Sequence, residues 1–142
     1  MDAKKICEAV KIIFAAAGSA LSYFLGGFDG LLVALVIMVS LDYITGVMSA
    51  VINRTLSSAT GFKGIFHKIL IFLLVGVGHT LDLHVLKTGD ILRSAVIFYY
   101  IANEGISIVE NAAEIGLPVP KKLKDALIQI KKESEDNGNT DT

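Results

Sequence analysis

The sequence predicts an all-α membrane protein, built from transmembrane helical hairpins and a short cytoplasmic amphipathic helix, that assembles into a homo-oligomer. Hydrophobic residues make up 53% of the 142 residues, which is more than a soluble domain of this size normally carries. These residues fall into four long segments separated by short polar breaks. Helix is the expected state, because backbone polar groups find no water to bond inside a bilayer.

The four apolar segments define a membrane domain over residues 1–116. A spanning helix needs about 20 residues, and the predicted helices cover about residues 12–28, 31–52, 65–83 and 91–115. The fourth is polar in its second half, so three spanning helices are the alternative to four. Pro118 and Pro120 end the membrane part, a basic amphipathic cytoplasmic helix is predicted over 117–132, and a disordered tail over 133–142.

Basic residues orient the chain. They precede the first segment, lie between the second and the third, and follow the fourth, so the positive-inside rule predicts that both termini are cytoplasmic. The anionic inner leaflet is the expected partner of the basic C-terminal helix, and an oligomer contact through its Leu–Ile stripe is the rival. The lysines concerned are Lys121, Lys122, Lys124, Lys131 and Lys132.

Asp42 is the most costly residue of the second segment, with about ten mostly apolar residues on either side. An ionised carboxylate at the centre of a span costs about 2.5 to 3.5 kcal/mol on insertion scales, so it needs a partner or water. Asp42 shares a helix face with Gly46 and Ser49 at three- and four-residue spacing. If the third helix begins at residue 65, antiparallel packing brings His79 to a similar depth. His79 is therefore the hypothetical partner, and helix packing and gating both stay open as the role of the pair.

The fourth segment carries a polar stripe within an arc of roughly 120° at helical spacing. One interpretation is a surface helix lying in the interface. The other is a ring of subunits whose lumen is lined by the stripe, with Glu104 and Glu110 repeated as acidic collars. The stripe consists of Arg93, Tyr100, Asn103, Glu104, Ser107, Glu110, Asn111 and Glu114.

Signals for catalysis are missing from the sequence. It has no nucleophile with a base at usable spacing, no Gly-rich phosphate loop and no metal-ligand pair. A single cysteine excludes a disulfide within one chain, and a net charge of −1 gives no attraction to nucleic acid. We therefore expect no enzyme, no cofactor, no metal and no nucleic-acid partner.

Several short strings, in order along nearly the whole chain, resemble the toxin-secretion and phage-lysis holin family, especially its members encoded among large clostridial toxin genes. The strings are residues 28–30 (FDG), 41–46 (LDYITG), 64–68 (GIFHK), 81–82 (LD), 101–111 (IANEGISIVEN) and 116–120 (GLPVP). The resemblance implies a protein of the bacterial cytoplasmic membrane that self-associates and opens a pore or lesion. Large toxins or a cell-wall hydrolase without signal peptides leave through it, and direct contact with this cargo is not expected.

By position, the resemblance assigns packing roles to Asp42, Thr45 and Gly46. It assigns the polar face to Asn103, Glu104, Ser107, Glu110 and Asn111. Two rival functions share the same sequence features: a small oligomeric ion channel or transporter subunit, and a membrane scaffold without a pore.

Overall fold

The protein is described here by a computed structural model covering residues 2–136, and all regular secondary structure in that range is helical. The helices are α1 (Ala3–Leu25), α2 (Gly30–Ile52), α3 (Ser58–Leu81), α4 (Ile91–Glu114) and α5 (Lys121–Asp136). One π-helical stretch, Asp82–Leu86, continues α3.

Two helices begin earlier than the apolar pattern indicates. α1 starts at Ala3 instead of residue 12, and α3 starts at Ser58 instead of residue 65. The Ser57 side chain caps α3 by accepting a hydrogen bond from the Thr60 amide, which satisfies one free donor of the first turn. Helical turns outside a bilayer need no apolar residues, so hydrophobicity alone underestimates the length of both helices.

The predicted C-terminal ends of the first and the last helix also differ from the structure. α1 ends at Leu25, before residue 28, because Gly26 adopts a left-handed conformation with φ +82°. α5 continues to Asp136, so the first four residues of the predicted disordered tail are helical. The rest of that tail, residues 137–142, lies outside the described residues.

Three helices in the described range are long and apolar enough to cross a membrane: α1, α2 and α3 with its π-helical continuation. α4 does not meet that criterion, yet it lies against α2 along its length. Arg93 near the start of α4 bonds Asp29, the N-cap of α2, and Glu114 at its end bonds Ser49. α4 therefore occupies the same depth as α2.

The apolar core lies between α2, α3 and α4. Leu32 and Leu35 from α2, Val75 from α3 and Ile97 from α4 are fully buried. α1 stands apart, since its residues 3–20 are all exposed. Its last turn reaches α3 through Phe24, whose ring occupies the space that a side chain at position 76 would need.

α5 begins at Lys121, four residues after the predicted start at 117, and folds back along α4. Leu127 is buried against Gly105 and Met38. Lys131 donates a hydrogen bond to Asn103 and lies 5.3 Å above the Tyr99 ring. Since Gly105 has no side chain, the two helices approach closely at that point.

Candidate functional site

An ionic cluster links three helices near their midpoints. The Lys68 ammonium of α3 donates to the carboxylates of Asp42 in α2 and of Glu104 in α4. The side chains of Lys68, Asp42 and Glu104 are 14%, 12% and 3% exposed. Each carboxylate that would be costly in an apolar setting thus has a cationic partner.

The α2–α3 hairpin explains why Asp42 and Lys68 meet. Asp42 lies ten residues before the end of α2 at Ile52, and Lys68 lies ten residues after the start of α3 at Ser58 (52 − 42 and 68 − 58). At 1.5 Å per residue, both side chains are about 15 Å from the same end of the hairpin. Equal depth in antiparallel neighbours brings the two charges together.

The predicted pair of Asp42 with His79 is wrong. The prediction assumed that the third helix begins at residue 65. Lys68 was therefore counted among the basic residues between two spans. With α3 starting at Ser58, Lys68 moves inside the helix to the depth of Asp42. His79 lies near the other end of α3, where its Nδ1 is 3.5 Å from Asp90 Oδ1.

Amide and hydroxyl groups complete the environment of Asp42. Asn111 donates from Nδ2 to Asp42 Oδ1 at 3.3 Å and to Thr45 Oγ1 at 3.0 Å. Thr45 donates to the Asp42 carbonyl oxygen at 3.1 Å. A Cβ at Gly46 would lie 3.7 Å from the Asn111 amide, an ordinary contact, so Gly46 lies against α4 without needing to be glycine.

Asp42, Lys68, Glu104 and Ser107 line a cleft of about 640 Å³ between α2, α3 and α4. With all three charged groups ionised, the cluster carries two negative charges and one positive charge. Such a cluster can hold three helices together through charged hydrogen bonds. In this structure the charged hydrogen bonds join α2, α3 and α4.

A second polar cluster lies at one end of the bundle, around the buried Arg93 at the start of α4. Its Nε donates to the Leu25 carbonyl at 2.5 Å, and Nη2 donates to the Gly27 carbonyl at 3.0 Å. Nη1 donates to Asp29 Oδ2 at 2.7 Å. A Cβ at Gly26 would come within 2.6 Å of Arg93 Nε. The guanidinium thus fixes the α1–α2 corner to the start of α4.

Asp29 and Asp82 are structural carboxylates that the sequence analysis did not select as site residues. Asp29 accepts from the Leu32 amide and caps α2, and its hydrogen bonds with Arg93 lower the pKa of its carboxyl group below the usual value. Asp82 is buried and accepts from the Leu92 and Arg93 amides at 3.1 and 2.8 Å. An acidic residue just before an apolar helix is an N-cap signal, which would have identified Asp29.

The polar stripe of α4 is directed mostly inside the chain. Arg93 and Glu104 are buried, so neither faces water in this conformation. Tyr100 lies edge-on to Tyr99 with ring centroids 5.1 Å apart. Glu114 accepts a 2.7 Å hydrogen bond from Ser49. α4 packs against α2, α3 and α5, which differs from the lone interfacial helix considered from the sequence.

The exposed part of the predicted site is smaller than the sequence suggested. Of the two glutamates of the predicted acidic collars, only Glu110 is exposed. Among the basic residues of α5, Lys131 is half-buried against α4. The others are exposed and have no resolved partner on α4: Lys121, Lys122, Lys124 and Lys132.

Comparisons with known proteins agree with this membrane architecture. Residues 19–132 match the model of the bacteriophage holin family. An uncharacterized protein of Listeria innocua is 42% identical over 119 residues, which is 84% of each chain. An uncharacterized 14.9 kDa protein of Clostridium perfringens is 40% identical over 80% of this chain and 86% of its own. No solved structure matches.

A phage relative adds a function to the comparison. A protein of Bacillus phage phi105 named a probable holin is 37% identical over 95 residues, covering 67% of this chain and 70% of its own. Holins are non-enzymatic membrane proteins, in agreement with the three apolar helices. Because the family model covers most of the sequence, the chain belongs to the bacteriophage holin family.

Proposed function

We propose that this protein is a holin of the bacterial cytoplasmic membrane that self-associates and opens a pore or lesion. Through that lesion, proteins without signal peptides leave the cell, namely a cell-wall hydrolase or large toxins. Family membership supports the general activity. The observation that carries self-association is α1, a helix of spanning length with no buried residue in its apolar window.

The unit that would associate is the α2–α3–α4 bundle with α1 beside it. The cluster of Asp42, Lys68 and Glu104 closes the bundle internally, so its charges are not available for contacts between copies. α1 remains free for neighbours, and its Gly18 and Ser22 are small residues that let another helix approach closely. Association then increases as copies accumulate in the membrane.

We propose four spans with both termini cytoplasmic. α4 contributes the fourth span because it lies at the depth of α2 and buries two of its charged residues, Arg93 and Glu104. Its other two charged residues, Glu110 and Glu114, are exposed and lie in its last two turns. The basic residues before and after the spans support this orientation. In this arrangement the α4–α5 connection is cytoplasmic, and the lysines next to it, Lys121, Lys122 and Lys124, come within reach of anionic lipid.

An ion channel is the second candidate. The cleft lined by Asp42, Lys68 and Glu104 favours it, because charged groups at mid-depth are typical of ion pathways. A channel would pass ions without releasing proteins. A scaffold would do neither.

Inducible expression in a bacterium separates these functions. Membrane potential, growth and leakage of a large cytoplasmic enzyme are recorded together, and Cys7→Ser, a change at an exposed free cysteine, is the matched control variant. The holin predicts sudden depolarisation with enzyme leakage for both chains. Depolarisation alone would favour the channel, and full-length protein in the membrane with an intact potential would contradict the proposal.

A further inference from the structure

The side of α5 that faces away from α4 consists mainly of charged residues. At 3.6 residues per turn they fall within an arc of roughly 180°, which also holds Ile128 and Gln129. All charged side chains in that arc are exposed, whereas Leu127 on the other side is buried. We call this surface the outer face of α5. Its charged residues are Lys121, Lys122, Lys124, Asp125, Lys132, Glu133, Glu135 and Asp136.

Contacts with α4 hold α5 in an antiparallel position. Leu127 packs against the space left by the missing side chain of Gly105. One turn further, Lys131 bonds Asn103 and lies above the ring of Tyr99. Residue numbers therefore rise along α5 while they fall along α4, and α5 runs back beside α4 from the α4–α5 connection.

The second half of α5 lies at the depth of the central ionic cluster, since Lys131 bonds Asn103, the neighbour of Glu104. Lys131 and Asp136 lie 10 and 15 residues after the start of α5 at Lys121 (131 − 121 and 136 − 121). These separations correspond to about 15 Å and about 22 Å along the helix axis. The hydrocarbon core of a bilayer is about 30 Å thick. With the α4–α5 connection at the cytoplasmic surface, the second half of α5 therefore lies at the level of the bilayer interior.

Lipid is an unsuitable neighbour for this part of the outer face. Ionised side chains are strongly disfavoured against hydrocarbon, and those found at membrane depth face protein or a water-filled cavity. The structure leaves four of them exposed at this level of α5, so water must reach them in an assembled membrane protein. These residues are Lys132, Glu133, Glu135 and Asp136.

The apolar and the charged surfaces of the chain are on different helices. Within residues 2–136, the backbone of α1 lies next to α3, and that of α5 lies next to α4. α1 exposes Ile12, Ile13 and Phe14, which suit lipid or a neighbouring copy. A chain with this division fits a closed ring, in which every copy directs its charged surface towards a common centre.

We infer that the second half of the outer face of α5 forms part of the wall of a water-filled lumen between copies of this chain. The inference rests on the self-association, the lesion and the four spans of the proposed function. It adds the surface that faces water, and α5 keeps its contacts with α4. The sequence suggested the polar stripe of α4 for this position, but the bundle buries Arg93 and Glu104 of that stripe.

Thiol labelling of the full chain in lipid vesicles tests which side chains face water. In a Cys7→Ser background, Glu135→Cys reports the outer face and Leu127→Cys reports the buried side of α5. Leu73→Cys, on an exposed part of α3, reports a surface covered by lipid or by a neighbouring copy. Positions 73 and 135 lie 15 and 14 residues after the starts of α3 and α5 (73 − 58 and 135 − 121). Both are thus about 21 to 22 Å from the cytoplasmic ends of their helices.

A charged reagent that does not cross lipid modifies a thiol where water supports the thiolate. In vesicles that leak a trapped dye, we expect Glu135→Cys to react at least about tenfold faster than Leu73→Cys and Leu127→Cys. Labelling of Glu135→Cys as slow as that of Leu73→Cys would show that lipid or another copy covers the outer face, and would overturn the proposal.

A disulfide between α4 and α5 tests whether α5 stays in place. A Cβ at position 105 would lie 2.6 Å from Leu127 Cδ2, so Gly105→Cys and Leu127→Cys together are close enough to pair. The same chain after reduction is the control. We expect the oxidised and reduced chains to leak dye at the same rate. Failure of the two cysteines to pair, or leakage only after reduction, would contradict a wall formed by α5 on α4.

Two readouts separate this inference from the proposed function. Dye leakage with slow labelling of Glu135→Cys would reject the wall and leave the lesion in place, whereas vesicles that hold their dye with the natural chain would count against the lesion itself. In intact bacteria before depolarisation, a reagent added outside should label Ile91→Cys, an exposed position at the outer end of α4. Protection of that cysteine would contradict the four spans.

Discussion

Replacing Lys68 with methionine should destabilise the bundle strongly. The change keeps an unbranched side chain one atom shorter than lysine but removes the only cation of the central cluster, leaving Asp42 and Glu104 as neighbouring carboxylates that are 12% and 3% exposed. Removing one member of a buried ion pair costs about 3 to 5 kcal/mol, because the remaining charge is unpaired. We expect a loss of about 3 kcal/mol, close to a 100-fold change in the unfolding equilibrium constant.

The matched control removes all three charges with Asp42→Asn, Lys68→Met and Glu104→Gln. It should recover most of the stability, since replacing a whole buried ionic group is often nearly neutral. Both variants are compared with the natural chain by thermal unfolding in detergent, followed by circular dichroism. The reasoning is refuted if Lys68→Met unfolds like the natural chain, or if the triple variant is no more stable than Lys68→Met.

Three further predictions concern the α1–α2 corner and its contacts. Arg93→Lys should lower stability by about 2 kcal/mol, because an ammonium cannot make the forked contacts to Asp29 and two carbonyls; equal unfolding temperatures would contradict this. Gly76→Ala should cost about 1 to 3 kcal/mol, since its Cβ would lie 2.0 Å from the Phe24 ring. Gly18→Ala, with nothing within 4 Å, is its control. The lowered pKa of Asp29 adds stability that is present above its unfolded pKa of about 3.9 and is lost as the pH falls through the folded value. Asp29→Asn should therefore reduce the loss of stability in acid, by a small amount because the side chain is 47% exposed, and identical acid unfolding curves would exclude this contribution.

The bounds of α2 were predictable because its apolar run lies between strong turn signals. Asp29 precedes α2 as an N-cap, and the tight corner with Gly26 and Gly27 separates it from α1. The same criterion misplaced the starts of α1 and α3, whose first turns are polar. Hydrophobicity detects the part of a helix that suits lipid, and a capped helix continues beyond it.

The site was predictable in part for the same reason. A carboxylate within an apolar run must have a partner, so Asp42 was identified from its position alone. Its partner Lys68 was missed because α3 was started too late, and the erroneous depth led to His79. The polar stripe of α4 was visible from spacing, but its direction was not. Glu104 and Arg93 are buried by contacts with α3 and with the α1–α2 corner.

The sequence by itself determined that this chain is an all-helical membrane protein with a costly acid in its second span. Composition and periodicity can be read from single segments. Because a bilayer offers backbone groups no water to bond, these two properties are enough to predict spanning helices. The tertiary structure decided which charges meet, that α4 lies along α2, and that α5 folds back on α4. Those outcomes depend on helix starts, on close approach at Gly105 and on the turn at Gly26, where a shift of a few residues changes the partner of every side chain.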